Sequence, residues 1–209
     1  MSEIENLKNI VEDIDERLED KDTVRELVMK SSRAVRRISK TVIQDIHQGK
    51  ETRENLQEAV KEVSKIKSII EDHPELYHSG FLRNGFQEFA EAHILWSIYN
   101  EEEPKSPEEL DITPSSYVLG MADVVGELRR MILDELTEGN IERAQELHQK
   151  MEKIKNMLMG FDYPNAILPI KNKQDVARNL VEKTRGDITN STRNERLREK
   201  MDEVMEELD

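Results

Sequence analysis

Gly85-Phe-Gln-Glu-Phe-Ala-Glu-Ala-His-Ile-Leu-Trp96 and Leu119-Gly-Met-Ala-Asp-Val-Val-Gly-Glu-Leu-Arg-Arg130 are mostly apolar stretches, each interrupted by one pair of acids. The pairs are Glu88 with Glu91 and Asp123 with Glu127. Spacings of three and four place the two members of a pair on one face of a helix, one turn apart. Four carboxylates projecting from two apolar helices form a plausible site for a hard divalent cation, which prefers oxygen ligands. A cation so held can bind a phosphodiester and activate water.

The rest of the chain has the composition of a helical protein. Apolar and charged residues each make up 36% of it, while aromatics make up 4% and glycines number eight. That balance favours long helices with charged surfaces over a sheet. A length of 209 residues fits one domain, 1–209, with a core of its own. The absence of cysteine excludes disulfides, thiolate zinc sites and cysteine nucleophiles, and fits a reducing cytoplasm. Residues 1–20 are acidic and amphipathic rather than signal-like, and nothing approaches an apolar membrane span. A cytoplasmic, soluble protein is expected.

Periodicity divides the chain into about seven helices. The first, from Glu3 to about Glu19, carries Ile4, Leu7, Ile10, Val11, Ile14 and Leu18 at helical spacing. Thr23-Val-Arg-Glu26 has the form of a capping box, so a helix either restarts there or continues with a mild irregularity. This second run reaches about Gln48 and stops at Gly49. Further helices are expected over about 51–71, 81–100, 115–137 and 141–159, with breaks at Asp72-His73-Pro74, at Pro104 to Pro114 and at Gly139-Asn140. A last helix begins near Lys173, weakened at Gly186 and expected to fray after Ser191. The fold class is all-α.

Net charge is −14, yet the run 30–40 holds Lys30, Arg33, Arg36, Arg37 and Lys40 with no acid among them. Such a run is either a solvated helix face or a track for phosphates. With 45 acidic residues in the chain, most acid pairs are solvated faces too. The two central pairs differ because they are the only acids between Phe81 and Tyr99 and between Tyr117 and Leu133. A carboxylate in such surroundings needs a metal or a cationic partner, for which Arg83, Arg129 and Arg130 are the local candidates. Gly120, Ala122 and Gly126 would let the second acid-bearing helix approach a neighbour closely. Walker, GxSxG and HExxH motifs are absent, so acyl transfer and P-loop hydrolysis have no support. All-helical nucleoside triphosphate pyrophosphohydrolases also hold magnesium with paired acids. Here that likeness stops at Glu88-x-x-Glu91, because the second pair is Asp-x-x-x-Glu.

Phe86-Gln-Glu-Phe-Ala-Glu-Ala92 followed by Tyr117-Val-Leu-Gly-Met-Ala-Asp-Val-Val-Gly-Glu-Leu-Arg-Arg-Met131 resembles the translin superfamily, nearest its catalytic branch, translin-associated factor X. The likeness extends to Lys30-Ser-Ser-Arg33, to Lys171-Asn-Lys-Gln-Asp-Val-Ala-Arg178 and to Arg185-Gly186, covering about residues 25–190. It implies a curved, seven-helix fold assembling into hollow octamers that enclose nucleic acid. It also implies a Mg²⁺-dependent endoribonuclease site, with Mn²⁺ as a substitute, on Glu88, Glu91, Asp123 and Glu127. The basic residues Lys30, Arg33, Arg36, Arg37 and Lys40 would hold single-stranded RNA, or single-stranded DNA. A homo-oligomer is expected because one chain carries both the acids and the basic stripe, although catalytic subunits of this family also assemble with translin-like partners. A non-catalytic nucleic-acid-binding shell and a pyrophosphohydrolase are the alternatives.

Overall fold

The computed structural model describes residues 3–206. Among these it contains six α-helices and one short 3₁₀ turn, with no strand. Helix α1 spans Glu3–His47 without a break, so of the two readings of Thr23 the continuous one holds and the expected count of about seven helices becomes six. The reason lies at Thr23. Its hydroxyl donates to the Glu19 carbonyl at 3.0 Å, a bond made within a continuing helix rather than the backbone cap of a new one. No proline or glycine lies between Glu3 and His47 to stop propagation. The helix ends where Gly49 takes a left-handed φ of 67°.

Helix α2 (Arg53–Ile69) folds back on α1, and the 3₁₀ turn Pro74–His78 leads into α3 (Gly80–Asn100). Helix α4 (Pro114–Glu138) opens with Pro114 in its first turn and with Thr113 Oγ1 accepting from the Ser116 N–H at 3.1 Å. It closes on Gly139 at φ 83°, and the two-residue connection turns α5 (Ile141–Met159) back against it. Helix α6 (Lys171–Glu206) runs through Gly186 and past Ser191 as unbroken helix.

Helix α1 packs on α2 and α3, α3 on α4, and α4 on both α5 and α6. Paired contacts give the directions. Ser32 meets Phe81 and Arg36 meets Glu88; Ser116 meets Arg83; Asp123 meets Lys173 and Arg129 meets Thr184. Hence α1, α3, α4 and α6 run the same way. One core cluster joins them, with Phe86, Phe89, Leu95, Leu128 and Ile132 among its fully buried members. At full burial each such side chain contributes about 1.5–3 kcal/mol relative to exposure.

Two regions stand outside this core. In the first turns of α1, Ile4, Leu7, Val11, Ile14 and Leu18 are all exposed, between 48% and 75%. In the last turns of α6, Leu197, Met201, Val204 and Met205 are exposed as well. No helix among the described residues is long and apolar enough to cross a membrane.

Candidate active site and nucleic-acid face

The four central acids come from α3 and α4, and one glycine sets how closely those helices approach. A Cβ on Gly120 would lie 2.5 Å from the Gln87 carbonyl oxygen, 2.7 Å from Ala90 Cβ and 2.8 Å from the Glu91 nitrogen. The two backbones are therefore in direct contact beside the first acid pair. Gly126, of which the sequence suggests the same role, does not fill it, because nothing lies within 4 Å of where its Cβ would be. The close approach occurs at the turn preceding Asp123, with Ala122 buried next to it.

The resulting cluster is asymmetric. Glu91 has no hydrogen-bond or ion-pair partner among the described residues, and its carboxyl is pushed up to about 8. Burial is the main cause. The charges of Asp123, Glu127 and Glu88 follow in that order, and Lys173 partly offsets them. The other three acids have partners. Asp123 accepts from Gln87 Nε2 at 2.6 Å and from Lys173 Nζ. Glu127 Oε2 lies 2.5 Å from His47 Nε2, and the His47 side chain is only 2% exposed. An imidazole donating from Nε2 leaves Nδ1 bare, and this Nδ1 is buried with no partner. Glu88 Oε1 lies 3.6 Å from Arg36 and 3.7 Å from Lys40, an electrostatic pairing longer than a hydrogen bond.

None of the arginines near the acids in sequence serves them. Arg129 pairs with Asp187 at 2.8 Å and donates to Thr184 Oγ1 at 2.6 Å, joining α4 to α6. Arg83 and Arg130 are exposed and make no ion pair with the cluster. The residues that do serve it, His47, Gln87 and Lys173, come from α1, α3 and α6. Gln87 is the immediate neighbour of Glu88 in the first acid-bearing stretch. His47 and Lys173 approach only through tertiary packing, 80 and 50 positions from their acids. His93 is a packed core residue, 4% exposed, between the edges of Phe89 and Trp96. Burial holds its imidazole down at about 4.

Among the described residues, no group of three or more histidine and acidic side chains is arranged to hold a metal ion as it stands. The oxygens of Asp123, Glu127 and Glu88 are turned toward Lys173, His47 and the α1 cations. The donor chemistry nevertheless fits a hard cation. Four carboxyl groups share one region, and the central one is half-buried, lacks a donor and resists ionisation because of that burial first and of its negative neighbours second. The Glu75-x-x-His78 spacing, which a di-iron helix pair would use, falls in the 3₁₀ turn, and Glu75 is paired with Lys21 there.

The basic run lies against this cluster. Lys30, Arg33, Arg36, Arg37 and Lys40 are all exposed on α1. Arg36 and Lys40 reach Glu88, while Lys30, Arg33 and Arg37 have no ion-pair partner among the described residues. Ten residues of helix, at about 1.5 Å each, give a cationic track roughly 15 Å long that ends at the acids.

Known proteins resemble this chain in sequence and in shape. An uncharacterized protein of Methanocaldococcus jannaschii is 36% identical over 191 residues, covering 90% of this chain and 85% of that protein. The crystal structure of AfC3PO superposes with a TM-score of 0.81 at 33% identity, and the AfC3PO–duplex RNA complex with 0.80 at 32%. Each covers 87% of this chain and 96% of the other. Apo-NeC3PO, at 24% identity, shares the fold with a TM-score of 0.74 over 91% of this chain and 98% of its own. The Translin family profile matches residues 3–185. The chain belongs to the Translin family.

Proposed function

We propose that this protein is a metal-dependent endoribonuclease of the catalytic, translin-associated factor X type, which binds RNA along α1 and cleaves it at the acid cluster inside an oligomeric shell. The observation that carries the reading is the continuity of the two surfaces. Arg36 and Lys40 belong to the basic track and also face Glu88, so a phosphate held by the track lies beside the carboxylates. The complex of AfC3PO with duplex RNA supports RNA as the ligand. A track of some 15 Å suits a polymer better than a free nucleotide, which counts against the pyrophosphohydrolase alternative.

Glu88, Glu91, Asp123 and Glu127 would hold Mg²⁺, with Mn²⁺ as a substitute. Such an ion polarises a phosphoryl oxygen and lowers the pKa of a bound water. The chain's own residues do the rest. Arg33, Arg37 and Lys30 bind successive phosphates, and Arg36 and Lys40 steer one of them toward Glu88. His47 fixes Glu127 through Oε2, leaving Oε1 free to accept a proton. Gln87 orients Asp123, and Lys173 balances its charge until a cation takes that place.

A second reading is favoured by one observation: three of the four acids already have protein partners. In that case the protein is a shell that binds RNA without cutting it. Incubating end-labelled single-stranded and duplex RNA, and nucleoside triphosphates, with Mg²⁺ or with EDTA separates the readings. Magnesium-dependent internal cleavage that disappears in Glu127→Ala is the expected result. Binding without cleavage supports the shell, and cleavage undiminished in a clean Glu127→Ala preparation rejects the assignment of these acids.

A further inference from the structure

The connection between α5 and α6 forms an apolar groove with the first turns of α4. Val118 lines one side and Phe161, Tyr163, Ile167 and Leu168 the other, around a cavity of about 230 Å³. Tyr163 and Ile167 are left 50% and 63% exposed there, and the Phe161 and Tyr163 rings lie 6.4 Å apart with a tilt of 42°. The volume is below the roughly 300–1,000 Å³ of sites that enclose a whole small molecule, and suits a single flat ring system. One polar atom belongs to the groove. Ser115 lines it, and its Oγ is buried with no hydrogen-bond partner among the described residues. A buried hydroxyl left unpaired is costly, and a ring with a polar edge would satisfy it.

The groove is tied to the acid cluster. Gln174 Nε2 donates to the carbonyls of Leu158 and Phe161, both at 2.8 Å, which anchors the aromatic wall, and the preceding residue, Lys173, reaches Asp123. Val118 stands five residues before Asp123 on α4, about 7.5 Å along the helix. The adjoining end of α6 has an unusual charge, since its first turn holds Lys171 and Lys173 and no acid. The positive end of a helix dipole favours acids, so two lysines there are a cost unless an anion joins them. Lys171 is exposed and has no ion-pair partner among the described residues. Open N–H groups, the dipole and the lysines all favour a phosphate at this place. An apolar slot beside an anion site matches the two parts of a nucleotide. We propose that the groove holds one unstacked base of a single RNA strand against Tyr163 and Phe161, with a phosphate of that strand on Lys171. The inference rests on the reading that RNA is the ligand, and not on cleavage. The α1 cations meet the cluster at Glu88 and the groove adjoins it on the side of Asp123, so the strand crosses the acids between them. A base paired in a duplex is not free to enter, and the groove therefore selects unpaired segments.

Fluorescence anisotropy of the full-length protein in EDTA, where metal-dependent cleavage is off, tests this. The labelled probes are a single-stranded RNA, a fully paired RNA duplex and a strand of abasic ribose phosphates of the same length. Tyr163→Ala should weaken binding of the single-stranded RNA about five- to tenfold, as expected for loss of one base–aromatic stack, and leave the other two probes unchanged. Tyr163→Phe keeps the ring and should bind as the parent does. Lys171→Ala should weaken the single-stranded RNA and the abasic strand alike and flatten the slope of log K against log salt by about 0.7. A parent that binds none of the probes removes the RNA reading and this inference with it. A parent that binds RNA, while Tyr163→Ala binds all three probes as before or loses all three equally, overturns the groove alone. A Tyr163→Ala variant altered only in its sedimentation coefficient would make the groove a protein contact, and overturns the proposal as well.

Discussion

His47, in the last turn of α1, and Glu127, midway along α4, meet at 2.5 Å although 80 positions separate them in sequence. The contact closes the cluster from the α1 side and makes the orientation of Glu127 depend on a residue outside both acid-bearing helices. It also ties fold stability to the site. Replacing His47 with Ala opens a cavity and leaves Glu127 without its donor, at a cost of about 2–3 kcal/mol. Glu127→Gln keeps an oxygen that accepts from Nε2 and should cost about 1 kcal/mol or less. Urea denaturation of the two variants compares them directly. A larger loss from Glu127→Gln than from His47→Ala would mean that the pair does not hold Glu127 in the way described.

Gly120 and Gly126 sit six residues apart on the same helix and should respond oppositely to the same substitution. Gly120→Ala forces a methyl group onto the α3 backbone beside Glu91. Backbone cannot yield as a side-chain tip can, so a loss of about 1–3 kcal/mol is expected. Gly126→Ala meets open space and gains helix propensity, worth up to about 1 kcal/mol. Thermal melts of both variants check this. A tolerated Gly120→Ala would show that the close approach of α3 and α4 is not what places the acids.

Much of this site can be read from sequence because local rules govern it. Isolated acids in apolar helices, three or four residues apart, mark one face whatever the tertiary fold, which makes Glu88 with Glu91 and Asp123 with Glu127 legible as pairs, while the packing of α3 on α4 brings the pairs together. Helix ends at Gly49, Pro74, Pro114 and Gly139 are legible for the same reason, since each has a local backbone cause. What escapes is non-local. Nothing near His47 or Lys173 in the sequence indicates that folding delivers them to Glu127 and Asp123. Glycine spacing cannot say which of Gly120 and Gly126 touches a neighbour. The Thr23 capping pattern fails because the signature S/T-x-x-E also occurs inside long helices, where the threonine bonds backward to Glu19 instead. The exposed seam at the start of α1 looks like any core-facing stripe until the fold shows that no core reaches it.

The basic face should behave as a phosphate track and not as a structural element. Arg33 and Arg37 have no ion-pair partner among the described residues, so Arg33→Ala/Arg37→Ala should leave the melting temperature within about 2 °C of the parent, as expected for surface changes under about 0.5 kcal/mol. RNA affinity should fall, and the slope of log K against log salt should flatten by roughly 0.7 for each single-strand phosphate that is no longer neutralised. Fluorescence anisotropy across a salt series measures both. An unchanged slope would move RNA binding off α1.

Glu91 gives the fold a pH dependence of predictable sign. Its carboxyl is held at about 8 in the folded protein against an ordinary value of 4.5. Between those values the folded state keeps a proton that the unfolded chain has released. The slope of unfolding free energy with pH follows protons bound in the unfolded state minus those bound in the folded state, which is negative here. Without divalent metal, this group's contribution therefore falls as pH rises from about 4.5 to about 8 and levels off above that. Glu91→Gln, neutral throughout, should remove that part of the slope and be relatively more stable at pH 8 than at pH 5. Cation binding opposes the same effect, because a divalent charge favours the ionised carboxylate. Added Mg²⁺ should therefore raise the melting temperature more at pH 8 than at pH 5, and should lose that effect in Glu91→Gln. Parallel melting curves for parent and Glu91→Gln, at every pH and with or without Mg²⁺, would refute the half-buried, donorless carboxyl on which the metal assignment depends.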